Sequence, residues 1–126
     1  MKDYDQALQD VYFRIDEMIQ TPEGRAKIKS YQIIREDSGE STPEQIGCTA
    51  CSALITPTHI IVANAGDSRA VWASKQADGK YQHTDLSVDH KPELPKEKER
   101  IEKAGGFVWE NRVKGELNLS RSLGDL

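Results

Sequence analysis

From Tyr4 to Ile19 the apolar positions Tyr4, Leu8, Val11, Tyr12, Ile15, Met18 and Ile19 recur three or four residues apart. That spacing lines one face of an α-helix, and acids lie early in the segment, where the helix dipole favours them. Residues 21–46 then lose periodicity and collect Pro, Gly, Ser and charge, apart from the pair Ile33–Ile34. They are expected to form a variable loop, with 22–30 as the part able to prolong the helix. After Gln45 the pattern shortens to apolar or alternating runs, IGCTACSALIT, HIIVANAG, RAVWASK and YQHTDLS, separated by TPT, GDS and QADG. This is the signature of a β-meander, in which Asp78-Gly79 serves as a hairpin turn.

Pro95 opens a further short segment, ELPKEKERIEKAGG, in which Ile101 and Ala104 are expected to face inward and Gly105 to stop a helix. GFVWENRV and GELNLSRSL read as two strands around Lys114-Gly115. The chain thus divides into a helix (1–20), a variable loop (21–46) and a meander with short helix and hairpin (47–126). The fold class predicted is α+β, with mainly antiparallel strands and helices against one sheet face.

Composition narrows the function classes. A length of 126 residues suits one domain. With 17 Lys and Arg against 21 Asp and Glu, the net charge of −4 leaves no basic face for a phosphate backbone, so nucleic acid is not an expected partner. The opening MKDYDQALQD carries acids where a leader needs a basic region, and no apolar run is long enough to span a bilayer. An intracellular location, cytoplasmic or nuclear, is expected. Cys48 and Cys51 form a C-x-x-C, but His59, His83 and His90 are scattered and no second cysteine pair exists. The two cysteines are therefore read as small buried strand residues.

Candidate chemistry lies where strand Val62–Ala65 runs into Gly66-Asp67-Ser68-Arg69. Gly66 permits an unusual backbone angle, and Asp67 offers the hard oxygen donor preferred by Mg²⁺ or Mn²⁺. The same Asp67 can cap the turn by bonding its own backbone, and Arg69 can pair with it. Asp89 and His90 are read as structural, Ser120 lacks the elbow and base of a nucleophile, and Arg121 is expected to make a structural ion pair.

GCTA (Gly47–Ala50), ANAGDSRA (Ala63–Ala70), DHKP (Asp89–Pro92) followed by an E-x-x-R-I-x-x-A-G-G helix, and LSRSLGD (Leu119–Asp125) occur in one order. Together they resemble the central part of a type 2C metal-dependent protein serine/threonine phosphatase, over Gly47 to Leu126. The resemblance implies an α-β-β-α sandwich, incomplete in this chain, and a reaction in which metal-activated water hydrolyses phosphoserine or phosphothreonine. It also implies phosphoprotein substrates and Mg²⁺ or Mn²⁺ as cofactor. Asp67 matches an acid that helps hold an additional, weaker metal ion in that family; a turn-stabilising role is the alternative.

The family's principal metal ligands, an E-D pair, a D-G-H-G-G segment and later D-G and D-N segments, are absent from this chain, and Arg35-Glu36-Asp37 lies in the wrong context to replace the first. The chain alone is accordingly expected to be inactive. A non-catalytic phosphatase-like interaction module is the alternative, and uncovered sheet edges would favour association.

Overall fold

The computed structural model describes residues 3–31 and 45–126. The Ile33–Ile34 pair and Arg35-Glu36-Asp37 lie outside the described residues. The chain forms two compact units, Met1–Cys48 with Leu123–Leu126, and Thr49–Ser122.

In the first unit, α1 spans Tyr4–Gln20. Asp3 caps it, its Oδ1 accepting from the backbone N–H of Gln6 at 3.0 Å. None of the described α1 residues is buried, and Val11, Phe13 and Met18 of its sequence stand exposed. Residues 22–30, read as able to prolong the first helix, lie instead in a separate second helix, α2, Pro22–Tyr31. Thr21 explains the difference. Its extended backbone ends α1, its hydroxyl donates to the Met18 carbonyl at 2.8 Å, and the same oxygen accepts from the Gly24 N–H at 3.0 Å. Thr21 thus caps α2 while Pro22 takes the first helical position, where a missing N–H costs nothing.

Two short strands complete this unit. β1, Gly47–Cys48, pairs antiparallel with Leu123–Gly124, the last strand of the chain, in the register Gly47↔Gly124. Gly124 has φ 79, and a Cβ there would strike the Ile46 carbonyl, so glycine is required at this close approach. Its N–H donates to Asp16 Oδ1 of α1 at 2.7 Å.

In the second unit, β2 (Ala50–Ile55) and β3 (Ile60–Ala65) form a six-pair antiparallel hairpin. β4 (Val71–Lys75) and β5 (Tyr81–Asp85) form a second. Asp78-Gly79 turns the latter: Gly79 adopts φ 83 and Asp78 Oδ1 accepts from the Lys80 N–H at 3.0 Å. The continuous meander expected from the sequence is therefore two separate ladders among the described residues. The connection between them bonds elsewhere, since Gly66 N–H donates to His90 Nδ1 and Ala70 N–H to Ser87 Oγ.

α3, Pro95–Lys103, buries Ile101 and Glu97. Gly105, at φ 82, ends it: its N–H donates to the Glu102 carbonyl and that of Gly106 to the Ile101 carbonyl, the paired bonds of a Schellman stop. Ala104 is exposed rather than inward-facing, because it already stands at the helix cap. Pro92 is fully buried.

The C-terminal hairpin also differs from expectation. β6 (Val108–Trp109) and β7 (Arg112–Val113) turn at Glu110-Asn111, both at positive φ, whereas Lys114-Gly115 turns only a single bridge, Val113↔Leu117. With the remaining strand at Leu123–Gly124, taken as β8, GELNLSRSL is not a continuous strand. The groups that would ladder it are committed to other partners: the Ser120 N–H donates to the His90 carbonyl, and its own carbonyl accepts from Arg100. Among the described residues all the strand pairs are antiparallel, and with three helices there the class is α+β.

Candidate functional site

The turn after β3 is built on glycine. Gly66 adopts φ 116, and a Cβ there would collide with the Thr49 side chain, so no other residue fits without displacement. The segment is held from both sides: Thr49 Oγ1 and Ser68 Oγ are 2.8 Å apart, and Asn64 Nδ2 donates to the carbonyls of Gly66 at 3.1 Å and Val88 at 3.0 Å.

Gly66 and His90 then lock together reciprocally. The Gly66 N–H donates to His90 Nδ1 at 3.2 Å, and the His90 N–H donates to the Gly66 carbonyl at 2.9 Å. An Nδ1 that accepts leaves the proton of the neutral ring on Nε2. Burial, with the nearby Arg121 charge, holds the His90 pKa below its ordinary value and favours this neutral form.

The reciprocal pair sets the register of the next residues, so Lys91 faces Asp67 and its ammonium donates to Asp67 Oδ2. The hydrogen bond to Asp67 raises the Lys91 pKa. Arg69 does not pair with Asp67, as its sequence proximity suggested. It reaches Asp89 instead, with Nε to Oδ1 and Nη2 to Oδ2 both at 3.0 Å. A planar guanidinium fork matches a carboxylate edge in this way, and the bond lowers the Asp89 pKa. Arg69, Asp89 and Lys91 line one open cleft of about 550 Å³.

Below this lies the most enclosed charge of the unit. Glu97, 6% exposed, accepts from Arg121 Nη2 at 2.7 Å on Oε1. Its Oε2 accepts from Arg121 Nε at 3.0 Å, Ser120 Oγ at 2.7 Å and Arg100 Nη2 at 3.0 Å. Arg121 foremost, against the cost of burial and with help from Ser120 and Arg100, lowers the Glu97 pKa from 4.5 to about 2. Arg100 also donates to the Ser120 carbonyl, and Ser120 N–H to the His90 carbonyl at 3.0 Å. A continuous set of bonds therefore runs from α3 through Ser120 and His90 to the Gly66 turn.

His90, Ser120 and Arg121 are thus joined through Glu97 and Gly66 in one set of bonds, while Asp67 and Asp89 make separate ion pairs with Lys91 and Arg69. Asp89 is bonded to Arg69, His90 to Gly66 and Arg121 to Glu97. The organising residue, Glu97, was missed as a site residue. The i, i+3 spacing of Glu97 and Arg100 on α3 was its visible signal. Cys48 and Cys51 are free and exposed, not buried, because neither the short β1 nor the outward-facing positions of β2 enclose them.

The described residues do not fit a two-metal centre. Among them no group of three or more His, Cys, Asp or Glu side chains is arranged to share an ion, and the Asp67 carboxylate already carries an ammonium partner. Nor does any described helix have the length and apolarity to cross a membrane.

Comparison with known proteins bears on the whole chain. Residues 2–126 match the family model described as Protein phosphatase 2C. "Probable protein phosphatase 2C 2" of Paramecium tetraurelia is 46% identical over 123 residues, 98% of this chain and 38% of that protein. "Protein phosphatase 2C 1" of the same organism gives the same identity and coverage. "Probable protein phosphatase 2C 21" of Arabidopsis thaliana is 55% identical over 80 residues, 64% of this chain and 21% of that protein. The chain spans 38% of the length of these Paramecium relatives.

Proposed function

Because the chain belongs to the protein phosphatase 2C family, we propose that it forms a scaffold segment of a metal-dependent enzyme hydrolysing phosphoserine and phosphothreonine esters of protein substrates. The observation that carries the scaffold role is the Glu97 cluster, which joins the E-x-x-R helix to the S-R of LSRSLGD. Each charged group there has its partner, so the cluster holds shape rather than offering a reactive group.

The same cluster argues against a serine nucleophile. The Ser120 hydroxyl donates to Glu97, and a carboxylate with a pKa of about 2 is too weak a base to take that proton near neutrality. That water is the nucleophile and Mg²⁺ or Mn²⁺ the cofactor is what membership of the family implies for the proposed activity. Because the described residues hold no multi-carboxylate cluster, the 126-residue chain is expected to lack activity by itself.

The test is manganese-dependent release of phosphate from a phosphothreonine peptide by this chain and by one extended at both ends. Activity confined to the longer chain supports the proposal. Robust turnover by the 126 residues alone overturns the scaffold role, and no turnover by either overturns the proposed activity.

A further inference from the structure

We propose that the open cleft beside the Arg69–Asp89 pair is a docking site for an extended segment of a partner protein that presents a lysine or arginine close to a leucine or isoleucine. Binding here needs no catalysis, so the inference stands apart from the activity proposed above.

The apolar part of the cleft comes from Leu86, Val88 and Leu94. Val88 is 72% exposed, although the chain around it is fixed. The Leu86 N–H donates to the Ala70 carbonyl and Ser87 Oγ accepts from the Ala70 N–H, both at 2.9 Å, while the Val88 carbonyl accepts from Asn64 Nδ2 at 3.0 Å. These bonds hold Val88 outward. Leu94 is 37% exposed at the N-cap of α3, and its side chain makes no capping bond. Serine, threonine, aspartate or asparagine would stabilise that position, so leucine there forgoes a cap without gaining full burial. Single exposed apolar residues are ordinary, but two lining one concave surface mark a place where another apolar side chain fits.

The charges select the occupant. Arg69, Asp85, Asp89 and Lys91 line the cleft. Arg69 is committed to Asp89, and Lys91 to Asp67. The Asp85 charge is felt at Arg69, but its carboxylate is bonded to no side chain among the described residues. One acceptor thus stands without a partner beside an apolar rim, where a basic side chain completes it and an acidic one is repelled. Because the cleft is open, a small molecule would leave much of its surface wet, whereas a peptide laid along it covers more.

The experiment is an NMR titration of the 126-residue chain, reading the methyl signals of Val88 and Leu94, with end-blocked peptides that hold one lysine and one leucine separated by one, two or three glycines. At least one peptide is expected to shift both residues saturably, and the same peptide with glutamate in place of lysine to leave them unmoved. Asp85→Asn should weaken binding about three- to tenfold, and Val88→Ser about tenfold. If no peptide of the series gives a saturable shift, the proposal is overturned. Equal or tighter binding of the glutamate peptide would make the cleft a site for acids through Arg69 and Lys91, which also overturns it. Methyl shifts that follow the protein's own concentration would assign the rim to a second copy of the chain, with the same result. The lysine and glutamate peptides are compared on the unaltered chain, so the answer does not depend on the variants folding. Phosphatase turnover without peptide binding sinks this inference alone, and peptide binding without turnover sustains it alone.

Discussion

Glu97 and Arg121, 24 residues apart in sequence, meet as a two-pronged pair, with Arg121 Nη2 2.7 Å from Oε1 and Nε 3.0 Å from Oε2. Glu97 is almost wholly enclosed while Arg121 is about half exposed, so the carboxylate has more to lose when the pair is broken. Glu97→Gln keeps the shape but strands two arginines against a neutral amide, and is expected to destabilise the fold by about 2–4 kcal/mol. Urea denaturation of the two proteins measures it. A change within about 0.5 kcal/mol would show that the cluster is not a structural anchor.

The same residue predicts a response to acid. Its folded pKa lies below its unfolded value of 4.5, so the stabilisation is fully present above about pH 4.5 and is lost as pH falls toward about 2. The denaturation midpoint should therefore decline across that window, and decline less steeply in Glu97→Gln. Equal slopes in the two proteins would assign the acid sensitivity to other groups.

His90 should titrate below its ordinary 6.5, and ¹⁵N NMR at neutral pH should show the Nε2–H tautomer. The stability it contributes in the neutral form is present above pH 6.5 and is lost as pH falls through its lowered value, where protonated Nδ1 can no longer accept from Gly66. Observation of the Nδ1–H tautomer would contradict the Gly66 bond.

Gly66→Ala combines a φ of 116 with a collision against Thr49. The expected loss is about 2–3 kcal/mol, larger than a glycine-to-alanine change at an open position. Thermal melts of Gly66→Ala and of Gly105→Ala, where a Cβ meets no atom, separate the steric part from the backbone part. Equal losses would mean that contact with Thr49 contributes nothing.

Arg69 and Asp89 make good geometry at a wet surface, Arg69 being 54% exposed. A double-mutant cycle with Arg69→Met and Asp89→Asn should give a small coupling that shrinks in high salt. A large coupling that is insensitive to salt would require this pair to be sheltered from solvent, against the exposure seen.

Local periods and turn chemistry were enough to determine α1, the Asp78-Gly79 hairpin and the stop of α3 at Gly105, because each depends on neighbours within a few residues. The ordered motifs likewise identified the family. Residues 22–30 were legible as helix-forming, but the break at Thr21, whose hydroxyl caps α2, was not. What only the tertiary structure decided was which charges meet. Arg69 lies two residues from Asp67 yet pairs with Asp89, Asp67 turns to Lys91, and Glu97 collects Ser120 and Arg121 from beyond its own helix. Ion pairing depends on distance through space and on the direction of a side chain once the backbone is fixed, and no spacing along the chain encodes either.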